Sequence, residues 1–244
     1  MKNLILGDCL KVMPTIADHS IDLILCDLPY GLVDCKWDSV IPFEPLWEQY
    51  KRIIKPNGAI VLTASQPFTS ALIMSNPKWF KYEWIWEKEN GTGHLNAKKL
   101  PLKSHENIVV FGNKRLVYYP QMRQGKPYTT SARSTSSNTY GIKKKIITVN
   151  DGTRYPLTVL KFPRDKTKFH PTQKPVALFE YLIKTYTNEG DLVLDNCIGS
   201  GTTAIAAINT NRNWIGIEKD QTYYEKALER ITAHIESLNS EQSA

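Results

Sequence analysis

No stretch of this 244-residue chain approaches the roughly 18 continuous apolar residues that a membrane-crossing helix needs, so no membrane partner is expected. The segment Met1 to Asp8 lacks the apolar region and cleavage site of a secretory signal, which makes the cytosol the expected compartment. Cysteine is scarce. Cys9, Cys26, Cys35 and Cys197 form no CxxC pair and have no histidine at ligand spacing, which argues against zinc, any other metal and disulfides. A small buried apolar side chain is the expected role of Cys26. Negative charge is nearly missing from one region. From Asn113 to Lys168, 13 Lys/Arg stand against Asp151 and Asp165, a net of +11, which leaves −4 for the rest of a +7 chain. A basic segment on a mildly acidic body suits a polyanion partner. Tyr118, Tyr119, Tyr128, Tyr140 and Tyr155 lie in the same segment and can stack on bases.

What is present is an alternation of buried strands and helices, the mark of a mostly parallel α/β sheet. Strands are expected at Leu4 to Leu6, Ile21 to Cys26, Ala59 to Thr63, Tyr82 to Trp86, Asn107 to Phe111, Leu192 to Leu194 and Trp214 to Ile217. Helices are expected at Cys9 to Ile16, Pro45 to Ile54, Gln66 to Met74, Pro175 to Thr185, Thr202 to Asn209 and Thr222 to Leu238. Trp84 and Trp86, at alternate positions, read as one strand face. The polar stretch after Gly112 has no helical period and reads as a loop-rich insert. The organisation is then one domain in two halves, 1–112 and 169–238, interrupted by an insert over 113–168 and followed by a tail over 239–244.

Two loops carry the chemistry. Each lies at the C-terminal end of an apolar run, where open α/β sheets bind ligands. Asp27-Leu28-Pro29-Tyr30 offers a carboxylate, a backbone carbonyl set by the Leu-Pro conformation, and an aromatic ring. Two acceptors at one spot suit an NH₂ group, and the ring suits the heterocycle that carries it. Asp195-Asn196-Cys197-Ile198-Gly199-Ser200-Gly201-Thr202-Thr203 is a glycine-rich turn opening a helix, and Glu218 ends the next strand. A dinucleotide site, or merely a tight connection, has the same look. The strict phosphate fingerprint is absent because position 204 is Ala, so a nucleoside cofactor without a pyrophosphate fits better.

Asp27 to Tyr30 resembles the catalytic Asp-Pro-Pro-Tyr motif of the DNA amino-methyltransferases. Asp195 to Thr203 resembles their S-adenosylmethionine motif, and Phe169-His170-Pro171-Thr172-Gln173-Lys174-Pro175 resembles the segment that precedes it. Trp86 to Asn90 and Leu46 to Gly58 also match. The order, with the catalytic motif first and the cofactor motif last, is that of the family's β group. The resemblance implies a Rossmann-like sheet of seven strands, mostly parallel with one antiparallel edge strand, and a target base flipped from the duplex. It makes 1–112 the catalytic half, 113–168 the target-recognition region and 169–238 the cofactor half. Asp27, Leu28, Pro29 and Tyr30 would hold the target amine and base. The donor would meet Asp8 and Cys9 at its adenine, and Glu218 at its ribose. Asp195, Asn196, Cys197, Gly199, Ser200, Gly201 and Thr202 would cradle its methionine part. Asp27, His170, Thr172 and Lys174 would complete its site, which releases S-adenosylhomocysteine.

Lys114, Arg115, Arg123, Lys126, Arg133, Lys143, Lys144, Lys145 and Arg154 are the candidate contacts to double-stranded DNA. A homodimer and a role in restriction-modification also follow from the resemblance. Leu28 stands where Pro is usual, and Asn196-Cys197 replaces the common Pro-Phe. N6-adenine is the leading target because Ser is common at position 27 in N4-cytosine enzymes, which are the rival reading. RNA or protein substrates and a silent DNA-binding homologue are further alternatives. Carbon-5 cytosine methylation needs a Pro-Cys nucleophile, and the chain has no such pair.

Overall fold

In Ile21–Asp27 (β2), Leu23 and Leu25 face one side of the sheet and Ile24 and Cys26 the other, all fully buried. A strand apolar on both faces needs helices on both. The computed structural model describes residues 3–31, 38–132, 135–137, 141–143, 146–166 and 173–242. It divides into two compact units, Met1–Tyr119 with Thr158–Ala244, and Pro120–Leu157.

The larger unit holds Leu4–Leu6 (β1), β2, Ile54–Ala64 (β3), Phe80–Thr92 (β4), Lys103–Phe111 (β5), Val159–Lys161 (β6), Leu192–Asp195 (β7) and Asn213–Glu218 (β8). Their order in the sheet is β1-β8-β7-β2-β3-β5-β4-β6. Antiparallel pairing occurs only where β5 meets β3 and β4. The α/β class and the mostly parallel sheet agree with expectation. Among the described residues the sheet has eight strands rather than seven, because β6 adds in parallel beside β4. The antiparallel strand β5 lies inside the sheet and not at its edge, because β4 pairs on its far side.

One face is covered by Val176–Tyr186 (α4), Thr202–Asn209 (α5) and Gln221–Gln242 (α6). The other is covered by Cys9–Val12 (α1), Phe43–Ile53 (α2) and Phe68–Ser75 (α3). In α2 the residues Leu46, Trp47, Tyr50 and Ile53 form one buried stripe at helical spacing. Trp84 and Trp86 are indeed a strand face: their ring N–H groups donate to the Tyr186 hydroxyl at 2.7 Å and to the Phe162 carbonyl at 2.9 Å.

Several boundaries differ from expectation. The first helix stops at Val12 and continues as a 3₁₀ turn, because Pro14 lacks the N–H an α-helix needs. Ile54 starts β3 instead of ending α2. Ile21 opposes Ile54 while Leu23 opposes Ala59, so Lys55-Pro56-Asn57-Gly58 bulges out of the pairing. The helix α6 runs to Gln242, through most of the expected tail.

The insert also reads differently. Residues 113–119 belong to the larger unit, anchored by Val117 N–H to Asn57 O (3.0 Å) and Tyr119 N–H to Thr185 O (2.8 Å). The smaller unit, Pro120–Leu157, is built of short antiparallel pairs: Tyr128–Ala132 with Ile146–Asn150, Arg123–Gln124 with Thr153–Arg154, and Thr135–Ser137 with Gly141–Lys143.

Candidate active site

Parallel pairing aligns the C-terminal ends of β1, β8, β7, β2 and β3, which brings Asp8, Glu218, Asp195, Asp27 and Ser65 to one edge of the sheet. The strand order reverses direction between β7 and β2, the switch point at which such sheets open a crevice. A cavity of about 550 Å³ lies there. Both expected loops line it, Asp27 to Tyr30 on one side and Asp195 to Ser200 with Thr202 and Thr203 on the other.

At the first loop, Asp27 is held through both oxygens. Its Oδ1 lies 2.6 Å from the Tyr30 hydroxyl and also accepts from Thr63. Its Oδ2 lies 2.6 Å from Lys174 Nζ. Lys174 also meets Glu106 at 3.3 Å, and Glu106 meets Lys88 at 2.5 Å. The result is a chain of alternating charge, Lys88–Glu106–Lys174–Asp27, with both lysines buried. Burial alone would push Lys174 down, but Asp27 and Glu106 hold its ammonium above the usual lysine range. Burial would likewise raise Glu106, yet Lys174 and Lys88 hold its carboxyl below the usual range. Burial and then Asp27 push the Tyr30 phenol far up, so it stays a hydrogen-bond donor. Its ring stacks on Phe68 at 5.2 Å. Asp38 Oδ1 accepts from the Tyr30 and Gly31 N–H groups at 2.7 and 3.0 Å, which fixes the end of the loop. Leu28, which stands where Pro is usual, is buried in the core under α1–α3 and is also among the residues that line the cavity.

The second loop is braced from within. Asp195 accepts from Cys197 N–H at 3.0 Å and from the Thr203 hydroxyl, and burial pushes its carboxyl up to about 6. Glu218 accepts from Gly199 N–H and Asp220 N–H, each at 2.9 Å, and burial raises it too. Asn196 accepts from the Tyr50 hydroxyl at 2.5 Å. Gly199 and Gly201 both have positive φ, +52° and +81°, a conformation that a side chain would strain. Gly201 does not line the cavity as expected. It caps α5 and packs on α6, where an added Cβ would meet Ile231 at 3.0 Å.

The remaining expected residues divide three ways. Asp8 and Cys9 line the cavity, Asp8 also capping α1 through Leu10 N–H at 2.8 Å. A hydrogen bond that the Cys9 thiol donates to Cys197, with burial, pushes Cys9 far up, and burial pushes Cys26 up to about 12. These thiols are therefore not poised as nucleophiles. Lys114 and Arg115 are exposed on the larger unit, and Arg123 and Lys126 are exposed on the smaller one. Arg154 is turned inward: its guanidinium lies 4.4 Å from the Tyr128 ring and donates to Asn150 and to the Lys126 carbonyl. It reads as a brace of the smaller unit rather than a phosphate contact. Cys35, Arg133, Lys144, Lys145, His170 and Thr172 lie outside the described residues, as does the side chain of Lys143. Among the described residues no cluster suits a metal ion.

Residues 21–229 match a family model described as DNA methylase. The type II methyltransferase M.HinfI of Haemophilus influenzae is 30% identical over 266 residues, covering 95% of this chain and 68% of that protein. M.HpaI of Haemophilus parainfluenzae is 27% identical over 255 residues, covering 98% and 77%. The M1.HpyAVI–SAM complex superposes with a TM-score of 0.65 at 25% identity, covering 93% of this chain and 98% of that one. The cytosine-N4-specific PvuII DNA methyltransferase has the same TM-score of 0.65 at 16% identity, a likeness of fold.

Proposed function

From the premise that this chain belongs to the N6/N4 DNA methylase family, we propose that it transfers a methyl group to the N6 amine of an adenine in double-stranded DNA. One observation carries the reading: a single cavity joins the Asp27 acceptor to the Asp195–Thr203 cradle. A donor held along the second loop would have its methyl group beside the first.

The residues fit a nucleoside donor. Glu218, at the tip of β8, suits paired ribose hydroxyls, Asp8 and Cys9 close the side where a purine would lie, and the turn at Gly199 exposes backbone to the cavity. S-adenosylmethionine, when bound there, supplies a methyl group on a sulfonium. The chain's own part is positional and electrostatic. Tyr30 and Thr63 lock Oδ1 of Asp27, so the carboxylate cannot swing, and Tyr30 is itself backed by Phe68. Asp27 and the Leu28 carbonyl accept the two amine hydrogens, and the nitrogen lone pair turns toward the methyl group. With the donor bound, the N–C bond would form as the C–S bond broke onto sulfur, and one amine proton would leave to Asp27 and then to water. Lys174 stays paired with Glu106 when the amine takes its place on Oδ2. Asp at position 27 favours adenine over N4 of cytosine.

Incubation of the purified protein with unmethylated genomic DNA and S-adenosylmethionine, followed by nucleoside mass spectrometry, tests this, with Asp27→Ala alongside. N6-methyladenine from the wild type alone is expected. N4-methylcytosine would keep the mechanism and change the base, and no methylated base with donor still bound would direct the search to RNA or protein.

A further inference from the structure

Between β4 and β5 the chain forms a loop, residues 93–102, that is exposed throughout. Its base is closed by the pairing of Thr92 with Lys103, and both residues line the cavity. The loop therefore stands on the rim of the site. It is internally ordered. A 3₁₀ turn spans His94–Asn96, with Asn96 N–H donating to Gly93 O at 2.9 Å, Ala97 N–H to His94 O at 3.1 Å and Leu100 N–H to Asn96 O at 2.9 Å. Held on that turn, Leu95 is 101% exposed, and Leu100 beyond it is 62% exposed. Lys98 and Lys99 separate the two leucines, and residues 93–102 contain no carboxylate.

A single exposed leucine is ordinary. An ordered turn that presents leucine at its tip, next to lysines and on the rim of the cavity, has a specific physical use. Rotating a nucleotide out of a duplex leaves a gap in the stack, and an apolar side chain can occupy that gap. Cations beside the wedge neutralise the phosphates that flank the gap. We propose that Leu95 enters the DNA stack at the space vacated by the target nucleotide, with Lys98 and Lys99 on the adjoining phosphates. This rests on the reading of the chain as a methyltransferase of duplex DNA.

The test begins by mapping the site that the wild-type protein methylates in genomic DNA. A synthetic duplex carrying that site is then offered with the target base either paired or mispaired. A mispaired base leaves the stack more readily and depends less on a wedge. Leu95→Ala is expected to lower kcat/KM on the paired duplex about tenfold or more, and on the mispaired duplex by less than about twofold. Leu95→Met, which keeps an apolar tip, is expected to restore the paired duplex. Donor affinity stays unchanged in both variants. Equal losses on the two duplexes, or no loss on the paired one, overturns the wedge and leaves methyl transfer intact. No methylated base from the wild type removes the underlying reading instead.

Discussion

At one end of the cavity Asp27 meets an ammonium at 2.6 Å, and a further carboxylate and ammonium extend the chain of charge behind it. At the other end Asp195 and Glu218 accept from backbone N–H groups and a threonine hydroxyl. The acids are chemically alike, but their surroundings push them apart. Glu106, in the cationic chain, is held below the usual range, whereas burial raises Asp195 and Glu218. A group that must draw on an amine needs a fixed negative charge in a dry site. A loop that must receive a neutral sugar and an adenine needs shape, and hydrogen bonds within the chain supply it.

The largest expected effect breaks the first end alone. Asp27→Ala should lower kcat by about 10³-fold or more while donor affinity holds, because the acceptor lost acts in the transition state. Single-turnover methylation and donor calorimetry measure the two quantities. Equal loss of donor binding would sink the division of labour between the ends. Glu106→Gln comes next. It leaves Lys174 its pairing with Asp27 but removes from buried Lys88 the carboxylate it pairs with, which should destabilise the fold by about 3 kcal/mol. Urea unfolding reads this, and adding Lys88→Met should recover part of the loss.

The second end is tested by Thr203→Val, which keeps shape and removes the hydroxyl that Asp195 accepts from. Donor Kd should rise about tenfold, with kcat at saturating donor nearly unchanged. A fall in kcat without a change in Kd would mean that the brace serves the chemistry directly.

Both loops were legible because each follows an apolar run long enough to read as a buried strand, and a glycine turn and a Leu-Pro step punctuate the ends. Lys88 and Glu106 were not assigned, although a signal existed. Trp84 and Trp86 lie on the inward face of β4, and the two-residue period puts Lys88 on that face next. On β5 the same period carries the inward face from Val110 and Ile108 back to Glu106, and Trp86 pairs directly with Glu106. That meeting is set by register between strands distant in sequence, which composition does not encode. The strand β6 escaped for another reason. It is three residues long, with Leu160 its one buried side chain, and it lies within the strongly basic segment. Gly201 looked like part of the cradle because spacing does not distinguish a glycine that faces a ligand from one that faces a helix.

The smallest predicted effect uses pH to sharpen the contrast, since the two ends should respond with opposite sign. Asp195 is raised to about 6 when folded, against about 3.9 unfolded. The folded chain therefore binds more proton there, and the stability Asp195 contributes is present below about pH 4 and lost as pH rises through about 6. Glu106 is lowered, so its contribution is present above about pH 4.3 and is lost as pH falls through its folded value. Unfolding free energies of wild type, Asp195→Asn and Glu106→Gln between about pH 3.5 and 7 give two difference curves. The wild-type advantage over Asp195→Asn should fall with rising pH, and the advantage over Glu106→Gln should rise. Parallel slopes would show that cation pairing and burial do not divide the cavity between them.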